Sequence, residues 1–219
     1  MRIAIYSDVI CPWCWIGKRR LELALRALPE ISAEIAWQPF QLNPAMPPGG
    51  MARADYRRRK FGSDGYAKAL DARVTAVARE LGLAMELAAQ PRTPNTALAH
   101  RLIWLAGRRG VQDGVVEALF SAYFSEGLDV GDREALIQLA ARHGIAIEES
   151  RSFFAGVEGQ AEVAAAEQGI RHSGMDGVPL YLIDGRSRIT GAQPVEAFVA
   201  ALSSHASSSA EDARDPLGG

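Results

Sequence analysis

The sequence predicts an α/β fold whose elements run βαβ, then a long helical block, then ββα. Three observations predict it. Ile3-Ala4-Ile5-Tyr6 is an apolar run suited to a buried strand, and beyond Cys11-Pro12-Trp13-Cys14 the residues Leu21, Leu25 and Leu28 recur at helical spacing. Strand character then fades through the middle of the chain and returns at Val178-Pro179-Leu180-Tyr181-Leu182-Ile183. Asp184-Gly185 separates that run from Arg188-Ile189-Thr190, the signal of a hairpin with a tight primed turn.

In order, the chain opens with a strand near residues 2–8 and a helix near 12–28. Pro12 suits the first helical position, which makes Cys11 the N-cap and sets Cys14 three residues on, on the same face. Glu34-Ile35-Ala36-Trp37 with Phe40 is a second strand, and Asn43 to Gly50 is a loop by its Pro and Gly content. Leu70, Val74, Val77, Ala78 and Leu81 mark a helix stopped by Gly82. Asn95 is placed to cap the next, which carries Leu98, Leu102, Ile103 and Leu105 and ends at Gly110. Asp113 starts a very apolar helix through Phe124, and Asp132 starts another that stops at Gly144. Two short helices near 148–155 and 159–172 follow, and Gly191-Ala192-Gln193-Pro194 opens a last one through Val195, Phe198, Val199 and Leu202. The Ser- and Ala-rich end reads as disordered. The expected organisation is one discontinuous domain of residues 1–45 and 175–203, an inserted helical subdomain at 46–174, and a disordered tail at 204–219.

At 219 residues with 48% apolar content, the chain can bury one sizeable core. Lys and Arg number 24 against 26 Asp and Glu, so no basic field points to nucleic acid. No stretch suits a membrane span. Ser7 and Asp8 interrupt the apolar start, unlike a secretory signal, so a reducing cytoplasm is the expected setting. There, a close cysteine pair is more often catalytic or metal-binding than structural.

Cys11 and Cys14 are the only cysteines. The helix N-terminus, with its unpaired N–H groups and dipole, favours thiolate at Cys11, and hydrogen bonds to its sulfur from the Trp13 and Cys14 N–H groups and the Cys14 thiol would add to this. Zinc is the competing reading of Cys-x-x-Cys, but a structural site needs four ligands, and His100, His143, His172 and His205 show no paired spacing. An inert pair of core thiols is a further alternative. Trp13 reads as a wall facing substrate or as packing on the helix. Lys18, Arg19 and Arg20 read as a solvated face, His100 as a core histidine before a catalyst, and Asn95 as a cap before a ligand contact.

Cys-x-x-Cys at a helix start, an inserted helical block and Val-Pro before a late hairpin resemble the DsbA family of the thioredoxin superfamily. Ser7 to Cys14, Pro39 to Pro44, Pro94-Asn95-Thr96 with Ala99-His100-Arg101-Leu102, Gly177-Val178-Pro179 and Gly191-Ala192-Gln193 resemble its FrnE-type branch. The resemblance implies a thioredoxin fold with a large helical insertion, thiol–disulfide exchange, and a cis bond before Pro179 facing the cysteines. It suggests Pro12, Trp13, Val178, Pro179, Asn43 and Gln193 as substrate-binding positions. It implies thiol or disulfide substrates, protein or small molecule, with no metal and no cofactor beyond glutathione as a candidate redox partner. A monomer or homodimer is expected, without nucleic-acid or membrane partners.

Two departures qualify the resemblance. Many thioredoxin-fold redox proteins hold a buried acid six residues before the first cysteine, where this chain has Ile5. Asp8 is the nearest acid, either a proton relay for Cys14 or a residue that lines the loop. The related 2-hydroxychromene-2-carboxylate isomerases and kappa-class glutathione transferases carry serine where Cys11 stands. The expectation is therefore a dithiol–disulfide oxidoreductase with Cys11 attacking and Cys14 resolving. A glutathione-dependent isomerase or transferase and a non-catalytic redox-sensitive binding protein are the alternatives.

Overall fold

The computed structural model describes residues 1–212. Strand β1 (Arg2–Ser7) leads into helix α1 (Pro12–Ala27) and returns as β2 (Glu34–Pro39), which lies parallel to β1. This parallel unit needs β1 buried, and its alternation obliges, with Ile3, Ile5 and Ser7 inward. Ile5, standing where related proteins place an acid, is buried opposite Trp37 on one side and Tyr181 on the other.

The inserted block begins with a two-residue strand β3 (Met51–Ala52), paired antiparallel with β4 (Arg92–Thr93). Between them lie α2 (Arg53–Phe61) and α3 (Asp64–Glu80). The helices α4 (Ala97–Arg108), α5 (Gln112–Phe124), α6 (Arg133–Arg142), α7 (Ile147–Ala155) and α8 (Gln160–His172) follow. The chain then forms β5 (Leu180–Ile183), β6 (Ser187–Thr190) and α9 (Val195–Asp212). The sheet order is β2-β1-β5-β6, with β5 and β6 antiparallel to their neighbours, as the resemblance implies.

One continuous core joins the sheet to the helices. Trp15 of α1 stacks on Phe124 and Phe120 of α5 at 5.8 and 6.2 Å, and Trp37 of β2 meets Phe120 edge-on. Phe198 of α9 packs edge-to-face on Tyr181 of β5, with ring centroids 4.8 Å apart. Between Ile183 and Ser187 the turn has φ of 48° at Asp184 and 70° at Gly185, the positive values a primed turn requires.

Several expectations are corrected. Helix α2 is missing from the periodicity reading because none of its residues is buried, so it has no apolar stripe to detect. Asp132 caps α6 by accepting the Ala135 N–H at 2.8 Å, but α5 begins before Asp113, whose carboxylate instead accepts the Trp37 indole N–H at 2.9 Å. Thr96 occupies the N-cap position of α4, while Asn95 from one residue further out accepts the Ala97 N–H at 2.9 Å.

The expected solvated face of α1 is in part interior. Lys18 is 4% exposed and pairs with Glu22, Glu117 and Asp113, while Arg20 donates to the Ala192 carbonyl at 2.6 Å. Three carboxylates converging on one ammonium make its burial tolerable. The tail expected from residue 204 is helical through Asp212, because buried His205 ties α9 to the hairpin: its ring nitrogens lie 2.8 Å from the Asp184 carboxylate and 3.0 Å from the Ser187 hydroxyl. Residues 213–219 of that expected tail lie outside the described residues.

Candidate active site

Cys11 is the N-cap of α1 in an extended conformation, and Pro12 takes the first helical position. The loop before it is held by its own backbone, the Cys11 N–H donating to the Asp8 carbonyl at 2.9 Å. Both cysteines are free thiols. The expected backbone bonds to the Cys11 sulfur are not made: its side chain accepts no capping bond, and the Cys14 N–H goes to the Cys11 carbonyl at 3.0 Å. The Cys11 sulfur instead lies 3.8 Å from the Val178 carbonyl oxygen, to which its S–H donates.

The two thiols differ in surroundings more than in depth. Cys11 is 5% exposed and Cys14 1%, so neither is an open surface thiol. Cys11 nevertheless borders a cavity of about 520 Å³, together with Pro12, Trp13 and Val178, and Cys14 does not. Burial pushes the Cys14 thiol well above the ordinary cysteine range, and a hydrogen bond to the Cys11 side chain and the charge on Cys11 push the same way. The Ser7 side chain and the Asp8 backbone oppose this more weakly.

The bond between Val178 and Pro179 is cis, and Pro179 is buried behind Val178. Gly17 of α1 makes that approach possible, since a Cβ there would sit 3.2 Å from Pro179 Cγ and would collide with the Tyr181 hydroxyl. The structure thus brings Cys11, Cys14, Pro12, Trp13, Val178 and Pro179 together. Asn43 stands one step back, accepting the hydroxyl hydrogen of the cavity-lining Tyr56 at 3.1 Å. Gln193 is exposed and bonds the Thr190 carbonyl at 2.7 Å, away from the cavity wall.

Asp8 is fully buried, and its carboxylate is turned toward the loop and α4. It accepts the Leu42 N–H at 2.7 Å and lies 3.5 Å from His100 Nε2, while only its backbone acts on Cys14. Sequence reasoning missed the far wall of the cavity, formed by Arg53, Tyr56, Arg57 and Lys60 of α2 with Arg73 of α3. The available signal was the cationic run Arg57-Arg58-Arg59-Lys60 after Arg53, of which 53, 57 and 60 fall on one face of a helix. A larger cavity of about 870 Å³ lies beyond Arg53, Arg57 and Asp71, but it reaches neither thiol. Among the described residues no group of three or more His, Cys, Asp or Glu could hold a metal, and no helix is long and apolar enough to cross a membrane.

A four-stranded mixed sheet with a dithiol at the start of α1 and a cis-proline loop against it defines a thioredoxin-fold dithiol protein. The chain belongs to the DsbA-like thioredoxin domain family, whose model matches residues 2–203. It is 25% identical to YwbO of Bacillus subtilis (strain 168), over 93% of this chain and 96% of that one. Among solved structures it is similar to a probable DsbA oxidoreductase from Streptomyces coelicolor, with 33% identity, a TM-score of 0.86, and 93% and 89% of the two chains covered. The cytosolic disulfide reductase DsbM from Pseudomonas aeruginosa, solved with GSH, shares the fold at 16% identity and a TM-score of 0.67, over 94% of this chain and all of that one. At the level of the family, the chemistry is thiol–disulfide oxidoreduction on thiol and disulfide substrates.

Proposed function

We propose that this protein is a dithiol–disulfide oxidoreductase in which Cys11 attacks and Cys14 resolves. One observation carries the assignment: Cys11 borders the cavity, whereas Cys14 lies behind it with its thiol held protonated. A Cys11 thiolate attacks one sulfur of a disulfide, the other sulfur leaves as a thiol, and a mixed disulfide remains on Cys11. Burial, the largest cause of the raised Cys14 pKa, persists, but bonding Cys11 to substrate removes the sulfur hydrogen bond and the charge that add to it. The Ser7 and Asp8 contacts that favour the Cys14 thiolate remain. Cys14 can then ionise and displace the substrate, closing the Cys11–Cys14 disulfide. The resolving thiol is thus quiet until the first step has occurred.

The Val178 backbone beside Cys11 supports a role in aligning the substrate next to the attacking sulfur. A cysteine at position 11, where the related isomerases and transferases carry serine, supports redox work over glutathione-dependent isomerisation. We further propose a cytoplasmic setting, in keeping with the cytosolic reductase that shares the fold.

The test is a single turnover. Reduced protein mixed with a neutral small disulfide is expected to release two thiols per chain and form an intramolecular disulfide, and Cys11→Ser is expected to release none. Absence of thiol release by the unaltered protein would overturn the reading. Equilibration against glutathione then gives direction, a potential near about −270 mV marking a reductant and one near about −120 mV an oxidant.

A further inference from the structure

We propose that the cavity beside Cys11 selects a low-molecular-weight disulfide carrying carboxylates, held by the cationic wall of α2 and α3. The inference rests on the oxidoreductase reading and adds to it the chemical class of substrate. Three observations support it: the size of the cavity, the residues that line it, and its charge.

The volume, about 520 Å³, falls in the range of sites that enclose a small molecule, roughly 300 to 1,000 Å³. Its lining comes from the start of α1, from α2, α3 and α5, and from the loop before Pro179, so several elements wall a cleft that stays open to solvent. An apolar floor is present in Trp13, Phe61 and Phe124.

The charge is one-sided. Arg53, Arg57, Lys60 and Arg73 line the cavity, and Asp71 is its single carboxylate. Arg57 and Arg53 already hold Asp71, at 2.9 and 3.7 Å. Lys60 donates to the neutral Tyr56 hydroxyl at 2.7 Å and sits 5.3 Å from the centre of the same ring, and it pairs with no carboxylate among the described residues. Positions 53, 57 and 60 share one face of α2, a helix that buries none of its own residues. All three line the same cavity as Cys11. A cleft lined by one sign of charge concentrates ligands of the opposite sign and raises their on-rates by roughly 10- to 1,000-fold.

In the reaction, Cys11 forms a bond to one sulfur of the anionic disulfide as its S–S bond breaks, and the first thiol departs with a proton. Cys14 then bonds to the Cys11 sulfur and releases the second thiol. Two electrons pass from the dithiol to the substrate, which is reduced to two thiols.

The experiment compares three small disulfides that differ chiefly in charge: dithiodipropionate, bis-hydroxyethyl disulfide and cystamine. Rates with the reduced protein are each divided by the rate with dithiothreitol, which removes intrinsic reactivity. The expected order is anionic over neutral over cationic, with the anionic compound favoured about tenfold over the neutral one at low salt. That preference should shrink as sodium chloride is added, by screening. It should also shrink in Lys60→Gln/Arg73→Gln, both exposed positions. A flat or reversed order overturns the inference, as does a preference that survives both salt and the double substitution. The neutral compound separates the two claims: its failure to react at all would strike the redox reading, whereas equal rates for all three strike only the substrate class.

Discussion

The Asp8 carboxylate lies 3.5 Å from His100 Nε2, and neither side chain reaches solvent. The two meet without a hydrogen bond, whereas the other carboxylate oxygen takes the Leu42 N–H at 2.7 Å. The loop that precedes Cys11 is therefore tied to the segment after β2 through one acid.

Asp8→Ala should leave the Leu42 N–H buried without its acceptor. A buried donor stripped of its bond costs about 1–3 kcal/mol. Urea unfolding of the reduced protein is expected to show a loss of about 2 kcal/mol, with thiol release per folded molecule also reduced. An unchanged unfolding midpoint would show that Asp8 does not anchor the loop.

Lys18 gives a pH dependence. Burial alone lowers its pKa, but the bond to Glu22 and the charges of Glu117 and Asp113 outweigh it and hold the ammonium above the ordinary lysine range. A folded-state pKa raised above the unfolded one contributes stability that is complete below about pH 10.4 and drains away as pH rises through the folded value. Lys18→Ala is expected to cost about 2 kcal/mol at neutral pH, less than a fully buried pair because its three carboxylates are partly exposed. The stability gap between the proteins should then narrow above that pH, measured as urea midpoints from pH 8 to 11. A gap that widened with pH would contradict the assignment.

Gly17→Ala tests the fit between α1 and the loop before β5. The added methyl would meet the Tyr181 hydroxyl and press on Pro179. Tyr181 is fully buried against Phe198 and has little room to yield, so overpacking should cost about 1–3 kcal/mol. Single-turnover thiol release should fall as well, because Val178 moves with Pro179. Retention of both stability and rate would show that the close approach of α1 to this loop is unimportant.

The residues that carry the fold were legible where they alternate or recur. Ile3 and Ile5 in β1, Leu21 and Leu25 in α1, and Asp184-Gly185 in the hairpin each announce their structure locally. The thiol pair and Val178-Pro179 were legible as motifs. Lys18 was not, because its burial depends on Glu117 and Asp113, about a hundred positions away in α5. Nor was α2, whose cations face a cavity that exists only once α1, α3 and the loop before β5 have come together. His205 shows the same limit at the chain's end: a Ser-rich segment reads as unstructured until Asp184 and Ser187 are brought against it.

The central claim is the division of labour between the two cysteines, and trapping of the mixed disulfide tests it most directly. Cys14→Ser and Cys11→Ser are each reduced, mixed with a disulfide substrate, quenched and weighed by mass spectrometry. Cys14→Ser is expected to accumulate a mixed disulfide on Cys11, because attack proceeds and resolution cannot. Cys11→Ser is expected to stay unmodified, since Cys14 lies behind the cavity with its thiol protonated. Equal trapping by both variants, or trapping by Cys11→Ser alone, would contradict the account.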